Sequence, residues 1–260
     1  MRSSKPSLTE LRAVCQPDTV MGRVSGEHWA GRLYMRHVSL YLTRALLPTP
    51  ITPDGVTWLM IVSGIAAAAA LGVPTVWGAV LAALLIQLQL LFDCSDGEIA
   101  RWRQATGPVG VYLDRIGHYL TDSALIATLG VRVDGGYDSI GVWTTWGLVG
   151  AVFVLVNKAE TDLVVVARSV AGMPPPDDQA DIIRPRRTGL AAVRGLASYL
   201  PLHRAIGAPE LTLLALAAAV GDAATGSLAA TRVLSMVLVP LAAAVAGAHL
   251  LSILSSSRFK

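Results

Sequence analysis

Charge is what this chain has least of. Only 15% of its 260 residues are Asp, Glu, Lys or Arg, while 53% are hydrophobic; a water-soluble domain carries about a quarter charged residues, so the shortfall points to lipid. Cysteine is nearly absent. Cys15 and Cys94 stand far apart, which leaves no disulfide framework and no thiolate metal spacing. The basic excess is small, a formal net charge of +3. The arginines sit at the ends of apolar runs rather than along one strip, which argues against a nucleic-acid partner. The first 27 residues lack an apolar core, so no secretory signal is expected there. Internal repeats are missing too, and nothing marks a second domain.

Long apolar runs are what the chain has instead. Six of them reach about 20 residues, the length that crosses a bilayer: 56–72, 74–95, 110–131, 139–167, 206–224 and 228–254. The third contains Asp114, His118 and Asp122, and makes sense only inside a bundle with those groups turned inward. The expectation is an all-α integral membrane protein with six transmembrane helices. Residues 1–27 form its N-terminal segment, 28–254 one membrane domain and 255–260 a tail. With the N-terminus in the cytosol, the outer loops carry only Arg132 and Arg232 of the 21 basic residues, as the positive-inside rule requires. Both termini are therefore placed in the cytosol, and the protein in the cell (plasma) membrane. Before the first run, Leu33, Val38, Leu42 and Leu46 against Arg32, Arg36 and Arg44 suggest an amphipathic helix lying on the membrane surface. Residues 168–204 read as a cytosolic loop: Pro174 to Pro176, then Asp177, Asp178 and Asp181, then Arg184, Arg186, Arg187 and Arg194. Anionic headgroups would hold its basic part as readily as a substrate would.

Where the second and third runs meet, Asp93, Asp96, Gly97, Ala100, Arg101, Gly110 and Asp114 fall in the pattern D-x-x-D-G-x-x-A-R, eight residues, G-x-x-x-D. Carboxylates beside a hydrocarbon-soluble stretch are expensive to hold without cations, so the pattern predicts a divalent-metal site at a membrane edge. On helices, Asp93 and Asp96 project from one side, as do Asp114 and His118. Thr106-Gly107-Pro108 breaks the chain between them. At 1.5 Å per residue, Asp96 lies about 16 Å before that break and His118 about 17 Å after it. Two antiparallel helices joined there would bring the four side chains to similar depth. Oxygen-rich donors suit Mg²⁺ or Mn²⁺, and a pair of ions could share the outer carboxylates. Gly97, Ala100 and Gly110 remove bulk, so that a ligand or a neighbouring helix comes close to the backbone. Arg101 offers a planar fork for phosphate.

This pattern resembles the signature of the CDP-alcohol phosphotransferase family, and Ile51-Thr52-Pro53-Asp54-Gly55-Val56-Thr57 resembles the family's entry into its first span. The resemblance implies a membrane enzyme of six helices, usually a homodimer, whose metal ions sit on the diphosphate of a CDP-linked donor. An acceptor hydroxyl attacks the β-phosphate and CMP leaves. By matching position, Asp93, Asp96 and Asp114 would be metal ligands; Asp96, Gly97, Ala100 and Arg101 would line the nucleotide pocket, and Gly110 would allow close approach. The family's last Asp, ligand and general base, is replaced here by His118. An imidazole with a reference pKa of about 6.5 is at least as apt a base at neutral pH as a carboxylate of about 4. Its nitrogen suits Mn²⁺ better than Mg²⁺. Asp122, one turn on, is placed to orient or neutralise His118.

The acceptor is not encoded by the motif. Asn157, Lys158, Glu160, Thr161 and Asp162, followed by Arg168, make the fourth run polar enough to imply function, although Lys158 and Asp162 would also neutralise each other at i,i+4. Arg115, Arg168 and Arg204 would receive the phosphate of a polyol-phosphate acceptor, or else contact headgroups. CDP-diacylglycerol ranks first as donor. A water-soluble CDP-alcohol ranks second, because Arg32, Arg36, Ser39 and Thr43 broadly resemble relatives that join inositol units. A small proton-coupled transporter is the alternative of another class. It would not need Gly97, Ala100 and Arg101 at fixed distances.

Overall fold

Threonine hydroxyls start the first two long helices. Thr52 accepts the Gly55 N–H at 3.0 Å and Pro53 is the first helical residue after it; Thr75 accepts the Gly78 N–H at 3.1 Å. Both hydroxyls satisfy N–H groups that a helix start leaves without partners. In this computed structural model, which describes residues 6–17, 29–173 and 202–256, every described element is helical. In chain order these are α1 (Leu8–Cys15), a π-helical turn (Gly31–Met35) leading into α2 (Arg36–Leu46), α3 (Pro53–Leu71), α4 (Val76–Arg103), α5 (Pro108–Val133), α6 (Val142–Val170), a 3-10 turn (Leu202–Ile206), α7 (Ala208–Thr225) and α8 (Ala229–Ser255).

The six long helices lie where the apolar runs were marked, with one difference of consequence. α4 does not stop at 95 but carries the motif onward to Arg103. Glu98, Ala100, Arg101 and Arg103 are good helix formers, and Ile99 and Trp102 are buried, so the helix outlasts its apolar stretch. Gln104 ends it in the left-handed region (φ 54°), with the Ala105 N–H closing onto the Ala100 carbonyl at 2.9 Å. Among the described residues, four helices, α3, α4, α7 and α8, are long and apolar enough to cross a membrane. α5 and α6, of 26 and 29 residues, have the length. They also carry Asp114, Arg115, Asp122 and Arg132, and Lys158, Glu160, Asp162 and Arg168, respectively. α6 runs through Val170, so Arg168 is helical rather than part of a loop. Of the rest of the expected loop, residues 202–204 lie in the 3-10 turn Leu202–Ile206, and 174–201 are outside the described residues.

Contacts divide the chain into two compact units: Met1–Ala67 with Leu84–Thr121, and Ala68–Ala83 with Asp122–Lys260. The first has a core of Leu11, Cys15, Leu40, Leu47, Val56, Ile99 and Trp102, contributed by α1 to α4. A capping box starts α1. Ser7 Oγ accepts the Glu10 N–H at 3.2 Å and Glu10 Oε2 accepts the Ser7 N–H at 2.7 Å, which holds the Glu10 carboxyl below its ordinary pKa. Arg103 binds the turn between α2 and α3, donating to the carbonyls of Leu47 at 3.1 Å, Thr49 at 2.9 Å and Ile51. α2 buries two hydroxyls beside Leu40: Ser39 and Thr43 are fully buried, while Val38 and Tyr41 are 46% and 64% exposed.

In the second unit α5 and α6 meet at glycine. A Cβ at Gly147 would stand 2.7 Å from the Ala127 carbonyl oxygen and 2.8 Å from that of Ile126, and one at Gly130 would strike the Trp143 carbonyl. Only the bare backbone permits that approach. Arg132, which the sequence suggested for an outer loop, closes α5 and is 1% exposed. It donates to the carbonyls of Val73 at 2.6 Å and Thr75 at 3.0 Å. Asp222 of α7 accepts the Ala230 N–H at 2.7 Å, that of Thr231 at 3.3 Å, and the Thr231 hydroxyl, and so caps α8. Asp134 does the same for α6, whose own N-cap is Gly141. Its carboxylate accepts N–H groups of Gly141 at 2.8 Å, Trp143 at 3.3 Å and Thr144 at 2.7 Å, with the Thr144 hydroxyl at 2.7 Å.

Candidate metal centre

Asp93 is on the stretch of α4 that leaves the apolar run, and Asp114 and His118 are one turn apart in the first half of α5. Their spacing turns Asp114 and His118 to one side of α5. Close packing behind them holds that side in place: Gly117 lies against Met60 and Ile61 of α3, where a Cβ would stand 2.8 Å from Ile61 Cγ1. Gln89 of α4 donates to Thr121 Oγ1 of α5 at 3.1 Å, both buried.

The result is a convergent donor set. His118 Nε2 lies 3.3 Å from Asp93 Oδ1 and 3.5 Å from Asp114 Oδ1, and one ligand atom from each of the three residues falls within 4.8 Å of the others. The side chains are 29%, 41% and 34% exposed for Asp93, Asp114 and His118, so a ligand can reach them. Two carboxylate oxygens and an imidazole nitrogen at this separation fit a divalent cation such as Mg²⁺ or Mn²⁺.

Asp96, expected as a fourth ligand, stands outside that group. Its Oδ2 accepts the Thr57 hydroxyl of α3 at 2.6 Å, a contact the motif alone does not reveal. Thr57 closes the stretch 51–57, so its likeness to the family's entry segment was the available signal. Gly110 lies beside Asp54 of the same stretch, where an added Cβ would be 3.2 Å from Oδ1. A Cβ at Gly97 would stand 3.1 Å from Arg101 Nη1, so the Arg101 guanidinium folds back over Gly97, and its Nε donates to the Cys15 carbonyl at 2.6 Å. Ala100, between them on the same helix, is partly exposed. Ser39 and Thr43, which suggested a polyol-binding likeness, instead donate to Glu98, each at 2.7 Å.

Asp122 and the polar residues of α6 lie within the second unit. Asp122 was expected to orient His118. Both its oxygens are engaged otherwise: Oδ2 with Lys158 Nζ at 2.5 Å and Oδ1 with the Ala208 N–H at 3.1 Å. Lys158 thus has Asp122 as an ion-pair partner, one that the i,i+4 spacing to Asp162 did not suggest. A residue missed altogether is His249 of α8, whose Nδ1 lies 2.9 Å from Asn157 Oδ1 and 3.6 Å from Glu160 Oε2; a lone histidine in an apolar helix was the only signal. Arg168 is partly buried and Arg204 exposed, both in this unit, while Arg115 is partly buried in the first.

No curated protein matches the chain. The family profile described as CDP-alcohol phosphatidyltransferase does match, over residues 50–223, a stretch that takes in the entry segment, the whole motif and the polar part of α6. Two thirds of the sequence and a metal-competent site at the motif therefore lead to one assignment: the chain belongs to the CDP-alcohol phosphatidyltransferase family.

Proposed function

We propose that the protein transfers a phosphatidyl group from CDP-diacylglycerol to the hydroxyl of a small alcohol or polyol phosphate, releasing CMP, in phospholipid biosynthesis. Family membership gives the reaction class, transfer of a phosphoalcohol from a CDP-alcohol. The observation that carries the reading is the convergence of Asp93, Asp114 and His118. Asp93, Asp114 and His118, joined by Asp96, would hold Mg²⁺ or Mn²⁺, in one or two ions. Bound there, the cation would neutralise charge on the donor diphosphate.

The chain's own residues divide the remaining work. Arg101 and the bare backbone at Gly97, Ala100 and Gly110 receive the cytidine diphosphate. The acceptor oxygen bonds to the β-phosphorus. The bond from that phosphorus to the oxygen bridging to the α-phosphate breaks, and CMP departs with that oxygen. We assign the acceptor proton to His118, whose imidazole titrates near neutrality in water. Arg168 and Arg204, with Arg115, are the groups for an acceptor phosphate; Lys158 is the less available one, being paired with Asp122. With Ser39 and Thr43 occupied by Glu98, two of the four residues that suggested the soluble CDP-polyol reading are engaged elsewhere.

The same reading has all six long helices crossing the membrane of the cell, both termini and the motif in the cytosol, and α2 at the lipid surface with Val38 and Tyr41 outward. A homodimer is the expected assembly. The test is a mass-spectrometric screen of purified protein against CDP-diacylglycerol and soluble CDP-alcohols, with polyol phosphates and small alcohols as acceptors. CMP released only with Mg²⁺ or Mn²⁺ and CDP-diacylglycerol supports the proposal. CMP from soluble donors alone would replace the donor, and no CMP from any pair would overturn the function.

A further inference from the structure

Glu98 occupies a position that the signature leaves open, between Gly97 and Ala100, and it is fully buried. A carboxylate in that setting is costly unless its oxygens are hydrogen-bonded. Both are. Oε1 accepts from Ser39 Oγ at 2.7 Å and Gln16 Nε2 at 2.8 Å, and Oε2 accepts from Thr43 Oγ1 at 2.7 Å, with Arg36 Nη1 3.9 Å from Oε1. Two segments are thereby tied to one turn of α4: α2 through its hydroxyls, and the end of α1 through Gln16. The Glu98 carbonyl strengthens the second tie by accepting the Cys15 thiol at 3.3 Å.

The end of α1 matters because of its last carbonyl. A helix C-terminus leaves carbonyls without intrahelical partners and carries partial negative charge, a natural seat for a cation. Here the Cys15 carbonyl accepts Arg101 Nε at 2.6 Å, from a position 86 residues earlier in the chain. The Nη end of the same guanidinium lies over Gly97, 3.1 and 3.4 Å from where a Cβ would be. The fork is gripped along one edge and seated on bare backbone, next to Asp96.

We propose that Glu98 is a positioning residue for the donor site: by pinning the end of α1 through Gln16, it places the Cys15 carbonyl that aims the Arg101 guanidinium at the donor diphosphate. The inference rests on the reading that Arg101 binds that diphosphate. Glu98 itself touches no substrate. A guanidinium held in one orientation gives up less freedom on binding phosphate than a loose one, so the effect falls on donor affinity.

Replacing Glu98 would strand two hydroxyls in the core, so the test uses Gln16→Ala, which removes the side-chain tie of α1 to Glu98 together with the Gln16 bond to the Arg36 carbonyl at 2.7 Å and leaves Ser39, Thr43 and the Cys15 thiol on Glu98. Full-length wild type, Gln16→Ala, Arg101→Ala and the double variant are titrated calorimetrically with CDP at saturating Mn²⁺, and their melting temperatures are measured. Gln16→Ala is expected to weaken CDP binding about tenfold, about 1.4 kcal/mol, with melting temperature and Mn²⁺ affinity unchanged. The double variant is expected to bind no more weakly than Arg101→Ala, because residues acting through one contact are non-additive. CDP affinity unchanged in Gln16→Ala, or losses that multiply in the double variant, would overturn the positioning role. Arg101→Ala binding CDP as well as wild type would remove Arg101 from the donor site and the inference with it; the function would still stand or fall on CMP release.

Discussion

His118 stands where the family signature carries an aspartate, and its replacement separates a base from a bystander. Its Nε2 lies 3.3 Å from Asp93 and 3.5 Å from Asp114, inside the cluster to which the proposed function brings the donor diphosphate. A positioned general base contributes about 10²- to 10⁴-fold to rate, and each tenfold is about 1.4 kcal/mol of barrier, so His118→Ala should slow CMP release by that factor, about 3 to 5 kcal/mol. Donor affinity should change far less, since Asp93, Asp114 and Arg101 remain. His118→Asp restores the signature and should keep activity within about tenfold of wild type, the scale of one such step. The assay is single-turnover CMP release from CDP-diacylglycerol at saturating Mn²⁺, repeated with imidazole added to the buffer. Partial rescue of His118→Ala by imidazole is the expected mark of a lost proton acceptor. An Ala variant releasing CMP at the wild-type rate, in a preparation where Asp93→Asn is inactive, would refute the assignment.

Three further outcomes follow from the geometry. Gly64→Ala would drive a methyl into Thr121 and disturb its bond with the buried Gln89; a loss of about 1–3 kcal/mol, the usual cost of overpacking, should appear as a lower melting temperature. Burial pulls the Asp134 pKa upward, but hydrogen bonds from Thr144, Trp143 and Gly141 outweigh it and leave it lowered. Its stabilisation is therefore full above the unfolded value of about 3.9 and is lost as pH falls through the lower folded value; Asp134→Ala should cost about 1–2 kcal/mol at neutral pH, as a lost cap does, and the gap to wild type should close in acid. Neutral replacements of Arg168 and Arg204 should raise the Michaelis constant for a phosphorylated acceptor several-fold and leave that for an unphosphorylated alcohol alone; equal effects on both would point to folding.

Periodicity and motif spacing made the six helices and the Asp93–Asp114–His118 grouping readable, because each depends on local pattern: apolar run length, i,i+3 and i,i+4 offsets, and a Gly-Pro break. What stayed hidden depends on partners distant in sequence. Nothing local says that Asp96 turns to Thr57, that Lys158 pairs with Asp122, or that Asp134 reaches forward to cap α6 across a glycine. The burial of Ser39 and Thr43 on α2 was not legible, because their partner Glu98 is 55 residues from Thr43. The capping box of Ser7 and Glu10 is a local S-x-x-E pattern and so was legible in principle. α4 outlasted its hydrophobic stretch since helix propensity and two buried side chains, Ile99 and Trp102, carry it on.

The most direct measurement is Mn²⁺ binding followed by electron paramagnetic resonance of the free ion, in wild type and in Asp93→Asn/Asp114→Asn, with and without CDP. Wild type should take up Mn²⁺, more tightly once CDP is present, and the double variant should lose both the uptake and the CDP effect while remaining folded. Folded wild type that binds neither Mn²⁺ nor, in competition, Mg²⁺, or a double variant that still binds them, would contradict a catalytic centre built on these carboxylates.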